Sequence, residues 1–151
     1  MKEGTRLKGH YRIEIRRKGE LVRIIELDNT LTEAYRQAIL GQLKDGTGAD
    51  LEIKYLAVGT DSTPSTSSDT QLGTEIYRSS PTSQEIQGGT LVTTWVLTNE
   101  QANAHLMEIG VFIGNATSMA DSGTLMSRIN IDIIKTDAEE VTFIRSDIIT
   151  I

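Results

Sequence analysis

The feature that most constrains this chain is a two-residue alternation of apolar and polar side chains, repeated in short runs. Tyr11, Ile13 and Ile15 alternate with Arg12, Glu14 and Arg16. Successive side chains of a strand point to opposite faces, so this run reads as a strand with one face buried. Lys18-Gly19-Glu20 then supplies a turn and Leu21 to Leu27 a second strand. Together they predict an N-terminal β-hairpin. The same signal continues to the end of the chain, with strands expected over 51–58, 75–79, 84–87, 91–98, 106–113, from 125, and over 140–151. Gly88-Gly89, Asn99 to Asn103, Asn115 to Gly123 and Thr136-Asp137-Ala138 punctuate them. From Leu125 onward, Leu125, Ile129, Ile131 and Ile133 are expected on one face, with Arg128, Asn130 and Asp132 on the other. Many short strands separated by turns predict a mainly β fold, an antiparallel, jelly-roll-like β-sandwich. Its expected core is Leu56, Val58, Trp95, Leu97, Ile109, Val111, Ile129 and Ile131.

One segment departs from the alternation. Leu31, Ala34, Tyr35, Ala38 and Ile39 recur at helical spacing. Thr30 is placed to cap the free amides of this helix, and Glu33 to return the bond. The helix is expected to end near Leu43, before Asp45-Gly46-Thr47-Gly48. Gly41 inside it costs about 1 kcal/mol relative to alanine and weakens the last turn. Gly59 is expected to end a strand at a sharp turn. From there to Thr70 the chain is Ser, Thr, Asp and Pro with almost no apolar content, a loop whose side chains can bond their own backbone.

The length of 151 residues fits one ordinary domain. Within it we divide a basic hairpin arm, 1–28, from a helix-plus-sandwich unit, 29–151. Residues 1–28 hold eight Lys/Arg and five Asp/Glu, a net of +3, and the rest carries −9. The overall charge of −6 argues against a nucleic-acid partner. A basic arm on an acidic body suits packing between copies, with Arg12, Arg16, Arg17, Lys18 and Arg23 as the interface candidates. Ile13, Ile15, Ile24 and Leu27 would give the arm an apolar face for a neighbouring chain. The competing account packs the hairpin on its own sandwich. An apolar content of 38% predicts a thin core completed by neighbours. No apolar run is long enough to span a membrane, and the polar start of the chain does not read as a secretory signal.

Motifs for chemistry are missing. There is no cysteine, and His10 and His105 stand without further ligands at metal-site spacing, so both read as surface residues. Gly46-Thr47-Gly48 is a turn and lacks the Lys-Ser/Thr of a phosphate cradle. Glu139 and Glu140 alternate to opposite faces, a poor acid/base pair. Asn115-Ala116-Thr117 matches a glycosylation acceptor that occurs often by chance. Trp95 sits in a β-branched run as a core residue. These readings predict a protein with no catalytic residues, no metal and no cofactor.

Four pieces of the chain carry a resemblance. Ile53 to Thr60 is a strand ending in Gly-Thr, followed by a Ser/Thr/Pro loop and then Asp69-Thr-Gln-Leu-Gly-Thr-Glu75 with Arg78. Met107-Glu-Ile-Gly-Val-Phe112, Gly123-Thr-Leu-Met-Ser-Arg128 and Lys135-Thr136 with the closing strand follow in order. Over roughly 28–151 this resembles a family of tailed-phage structural proteins: tail-fibre, collar and minor virion proteins. The resemblance implies a non-enzymatic structural part of the virion, assembled in the host cytoplasm and acting through protein–protein contacts. A tail-associated adaptor, collar or fibre-base part is the first expectation. A capsid decoration protein is the second, and a carbohydrate-binding receptor module the third. The implied partners are other virion proteins and copies of itself, a trimer being favoured. Glu75, Arg78, Glu108 and Arg128 lie in or beside predicted strands and are the expected structural ion pairs.

Overall fold

A computed structural model describes residues 6–151. Nine strands and one helix follow in the order β1 (Arg6–Arg17), β2 (Glu20–Asp28), α1 (Glu33–Asp45), β3 (Tyr55–Gly59), β4 (Glu75–Ser79), β5 (Ser83–Gln87), β6 (Thr90–Leu97), β7 (His105–Ile113), β8 (Thr124–Ile134) and β9 (Glu139–Thr150). They form two antiparallel sheets, a five-stranded one in the order β2-β1-β9-β6-β5 and a four-stranded one in the order β4-β3-β7-β8. The chain is a β-sandwich with an N-terminal hairpin and a single helix among the described residues.

The hairpin is built into this sandwich. β1 pairs with β9 along twelve residues, from Arg6 opposite Thr150 to Arg17 opposite Glu139. Tyr11, Ile13 and Ile15 are buried in the same core as Trp95, Leu97 and Phe143. The boundary drawn at residue 28 therefore falls between parts of one continuous core, and the hairpin packs on its own sandwich. The apolar face assigned to it needs one correction. Ile13 pairs with Ile25 and Tyr11 with Leu27, so Ile25 and Leu27 turn toward the core, whereas Ile24 pairs with Glu14 on the outer face. In the run Ile24-Ile25, alternation places only one isoleucine inside.

All eight residues expected in the core are buried. Leu125 is not among their neighbours. The β7–β8 register slips between Val111 and Phe112, so Ser127 faces Val111 while Leu125 faces Phe112. This bulge turns Leu125 to the outer face of the four-stranded sheet, where it packs with Ala57, Leu72 and Phe112.

The helix starts two residues later than expected. Thr32 is the N-cap, its hydroxyl accepting from the Tyr35 amide at 3.1 Å and donating to the Leu125 carbonyl at 2.5 Å. Leu31 is held in a β-bridge with Ser127, so Thr30 cannot cap the helix. α1 runs to Asp45, and Gly46 closes it in the left-handed conformation. Gly41 has a packing reason: a Cβ there would lie 2.7 Å from the Gly48 Cα.

Candidate functional site

The residues of the family-like motifs converge on the outer face of the four-stranded sheet. Along β7, Ile109 and Val111 point inward, which sends Glu108, Gly110 and Phe112 outward. The Glu108 side chain is fully buried there, beneath the loop 60–74. It accepts from three amides of that loop, Asp61 at 3.0 Å and Gly73 and Thr74 at 2.8 Å each. Arg128 on β8 donates Nε to Glu108 at 2.9 Å, Nη1 to Asp69 at 3.2 Å and Nη2 to the Thr63 carbonyl at 2.9 Å. Asn130, two residues on and therefore on the same face, accepts from the Ser65 amide and donates to Thr63. Gly59 is required by this arrangement: a Cβ would collide with the Glu108 carboxylate and the Thr74 carbonyl. Its backbone is ordinary, so close approach explains the glycine better than the sharp turn read from sequence.

A second pair fastens the neighbouring loop. Arg78 on β4 makes a bidentate contact with Glu75, 2.6 Å from Nε and 2.8 Å from Nη2. Its Nη1 donates to the carbonyls of Thr117 and Ser122 at 2.8 and 3.1 Å. The guanidinium lies 4.4 Å from the Phe112 ring centroid and 5.4 Å from that of Tyr55. Glu75 in turn accepts the Asp121 amide at 3.1 Å. Both side chains are nearly fully buried. Glu75, Arg78, Glu108 and Arg128 thus form two buried pairs that roof one face of the sandwich with the loops 60–74 and 115–123.

A third buried pair lies between the sheets. Arg145 donates Nε and Nη2 to Asp147 and Nη1 to the Tyr11 hydroxyl and Ser127 Oγ, at 2.8–3.1 Å. Burial works against its charge. The Tyr11 oxygen and Asp147 outweigh that and hold the guanidinium above its ordinary pKa. The sequence carried a signal for it: Val141, Phe143, Arg145 and Asp147 share one parity of β9, so an inward strand face ends in a charge pair.

The basic residues of the hairpin lie elsewhere and do not converge. Arg12 and Arg16 both donate to Glu14 at 2.9 Å on the outer face of the five-stranded sheet. These bonds hold the Glu14 carboxyl below the usual range. Arg17 binds Glu139 at 3.0 Å. Glu139 also takes the Thr136 amide and hydroxyl, and the amide contact is the chief reason its pKa is lowered. Lys18, in the hairpin turn with φ 52°, and Arg23 are exposed and have no partner among the described residues. His10 and His105 are at the surface, each beside a carboxylate, His10 on Asp28 at 3.1 Å and His105 on Asp132 at 2.5 Å.

Beside the roof lies a cavity of about 310 Å³ lined by Asp61, Thr63, Asp69, Gln71 and Arg128, among others. Of these, Arg128 and both aspartates are already engaged in bonds that shape the loop. Among the described residues, no three His, Asp or Glu side chains converge as a metal-ligand set, and no helix is long and apolar enough to cross a membrane. The arrangement fixes backbone segments to a sheet. Comparison with family models, with curated proteins and with solved structures finds no match to this chain.

Proposed function

We propose that the chain is a non-enzymatic structural component of a tailed-phage virion, a tail-associated adaptor, collar or fibre-base part present in symmetric copies. The observation that carries the reading is what the motif residues do. Glu75, Arg78, Glu108 and Arg128 are used inside the molecule to fasten two long loops onto a sheet. That is the work of a rigid building block, which presents a fixed surface to neighbours. The resemblance over 28–151 supplies the kind of assembly. The hairpin adds a sheet edge and two cationic side chains without a partner among the described residues, Lys18 and Arg23, with which copies or other virion proteins can make contact.

Quantitative mass spectrometry of purified particles from the genome that encodes the chain tests this. A tail part is expected in a small copy number matching a ring symmetry, far below that of the major shell protein. Copies in the hundreds per particle would replace the tail reading with shell decoration. Absence from purified particles would overturn the virion reading altogether.

A further inference from the structure

We propose that the open end of the sandwich, beside Tyr35 and Asp147, is a binding site for a small neutral molecule with an apolar body and one hydroxyl. This goes beyond the structural role above and does not depend on it.

The two ends of the sandwich differ. At one end β6 leaves through the turn 98–104. Lys135 ties that turn down, donating to the Thr98 carbonyl at 2.8 Å and to Asn103 at 2.7 Å. At the other end β5 and β6 are joined by Gly88 and Gly89, which carry no side chain to cover the core. A Cβ at Gly88 would meet nothing within 4 Å. There a cavity of about 290 Å³ opens between the sheets and α1. Its walls are apolar, with Leu7 of β1, Ile53, Leu91 of β6 and Met126 of β8, and Ile149 stands at the rim, 56% exposed. The mouth of a β structure is a common place for small-molecule sites. A dry cavity of ~150 Å³ holds a benzene ring, so the volume here fits a ring with a short chain attached.

Two polar side chains stand in this apolar setting. Tyr35, facing inward from α1, and Asp147, on the inward face of β9, both line the cavity, and each is only 8% exposed. The Tyr35 hydroxyl has no hydrogen-bond partner among the described residues, yet it is not sealed in as the unpartnered Trp95 Nε1 is. It therefore opens onto free space. Tyr35 also lines a second cavity under α1, which Asp147 does not reach. Burial, and after it the Asp147 charge, push the phenol above its ordinary pKa, with Arg145 acting the other way. The oxygen end of the ring thus lies toward the charge pair and the first cavity, and it keeps its proton. Asp147 takes two bonds from Arg145 at Oδ1 and one at Oδ2, which leaves Oδ2 with acceptor capacity. Arg145 already balances its charge, and no other charged side chain of the described residues lines the cavity. A charged ligand would enter unmatched. A neutral hydroxyl fits, with a proton to give Asp147 and lone pairs for the Tyr35 O–H.

The full-length protein, isotope-labelled for amide spectra, is titrated with para-propylphenol and separately with propylbenzene, the same body without the hydroxyl. Amide shifts are expected to concentrate at 88–91, 126 and 147–149. Propylbenzene is expected to bind roughly tenfold more weakly, the equivalent of one hydrogen bond. Tyr35→Phe keeps the ring in the core and removes only the unpartnered hydroxyl. It is expected to weaken para-propylphenol roughly tenfold and to leave propylbenzene as it was, whereas a purely structural role would move both alike. No shift at these amides up to the solubility of the phenol, or equal binding of the two molecules, overturns the inference. So does a phenol affinity unchanged in Tyr35→Phe. Should that variant unfold, the two molecules compared on the parent chain decide alone. Failure here leaves the virion reading standing, and absence of the chain from particles leaves this site standing.

Discussion

The two outer faces of this sandwich are finished in opposite ways. The four-stranded sheet is roofed by its own loops, and the charges beneath the roof, Glu75, Arg78, Glu108 and Arg128, are buried and bonded from several sides. No loop of the described residues roofs the five-stranded sheet. Its Glu14 shares two arginines in partly exposed contacts, and its edge ends in the apolar side chains of β2. The same residue types therefore do different work. Under the roof, water is excluded and a lost partner strands a charge. On the open face, water takes the place of any partner removed. One face is closed by the chain's own loops, and the other leaves its strand edge open to solvent.

The largest effect is expected from Glu108→Ala. It leaves Arg128 buried without its main counter-charge and frees three amides of the loop 60–74. The cost is about 3–5 kcal/mol in urea unfolding. A cost below about 1 kcal/mol would show that the roof is held by something other than this carboxylate. Arg78→Lys comes next. A lysine cannot reproduce the bidentate grip on Glu75 while reaching the carbonyls of Thr117 and Ser122, and it gives up the guanidinium contact over the Phe112 ring. The expected loss is about 2–3 kcal/mol, with faster hydrogen exchange confined to 115–123. Loss spread evenly through β3 and β4 would mean that Arg78 supports the sheet and not the loop.

The pH dependence adds a second test within the five-stranded sheet, at Glu14 on its outer face and at the buried Glu139 near the hairpin turn. Glu14 and Glu139 have carboxyl pKa values below the ordinary 4.5, from Arg12 and Arg16 in one case and chiefly from the Thr136 amide in the other. A group lowered on folding contributes stability that is fully present above its unfolded value. That stability is lost as pH falls through the folded value. Urea midpoints are expected to hold steady above pH 4.5 on account of these two groups and to fall below it, and Glu139→Gln to flatten that fall. An acid limb unchanged by Glu139→Gln would remove this residue from the account. The smallest effect is expected from Glu14→Ala, under about 1 kcal/mol, since both arginines it releases can turn to water. A cost near that of Glu108→Ala would erase the difference between the faces.

The strands and most turns were legible because alternation and Gly/Asn/Asp punctuation are local signals. The misplacements have tertiary causes. Thr30-x-x-Glu33 has the form of a capping box, but Leu31 is drawn into a bridge with Ser127, and the start moves to Thr32. Leu125 obeys parity until the bulge beside Phe112 shifts it to the other face. In the candidate site, Glu108 and Arg128 were readable as charges in strands whose neighbours face inward. That they meet, and that Asp69 and Asn130 join them, depends on how the loop 60–74 folds back, which no local pattern encodes. The arginines of the hairpin were visible as a cluster in sequence, but the pleat and the pairing with β9 send Arg12 and Arg16 to Glu14 and Arg17 to Glu139.

The proposed division between a self-contained face and a contact face is tested most directly by hydrogen exchange of the chain free in solution and assembled in the particle that the proposed function assigns it to. The account predicts added protection on assembly in β2 and the adjoining hairpin turn. Exchange in 60–74 and 115–123 should be unchanged, because the buried pairs already hold those loops. New protection concentrated in the two loops, with β2 exchanging as it does in the free chain, would contradict it.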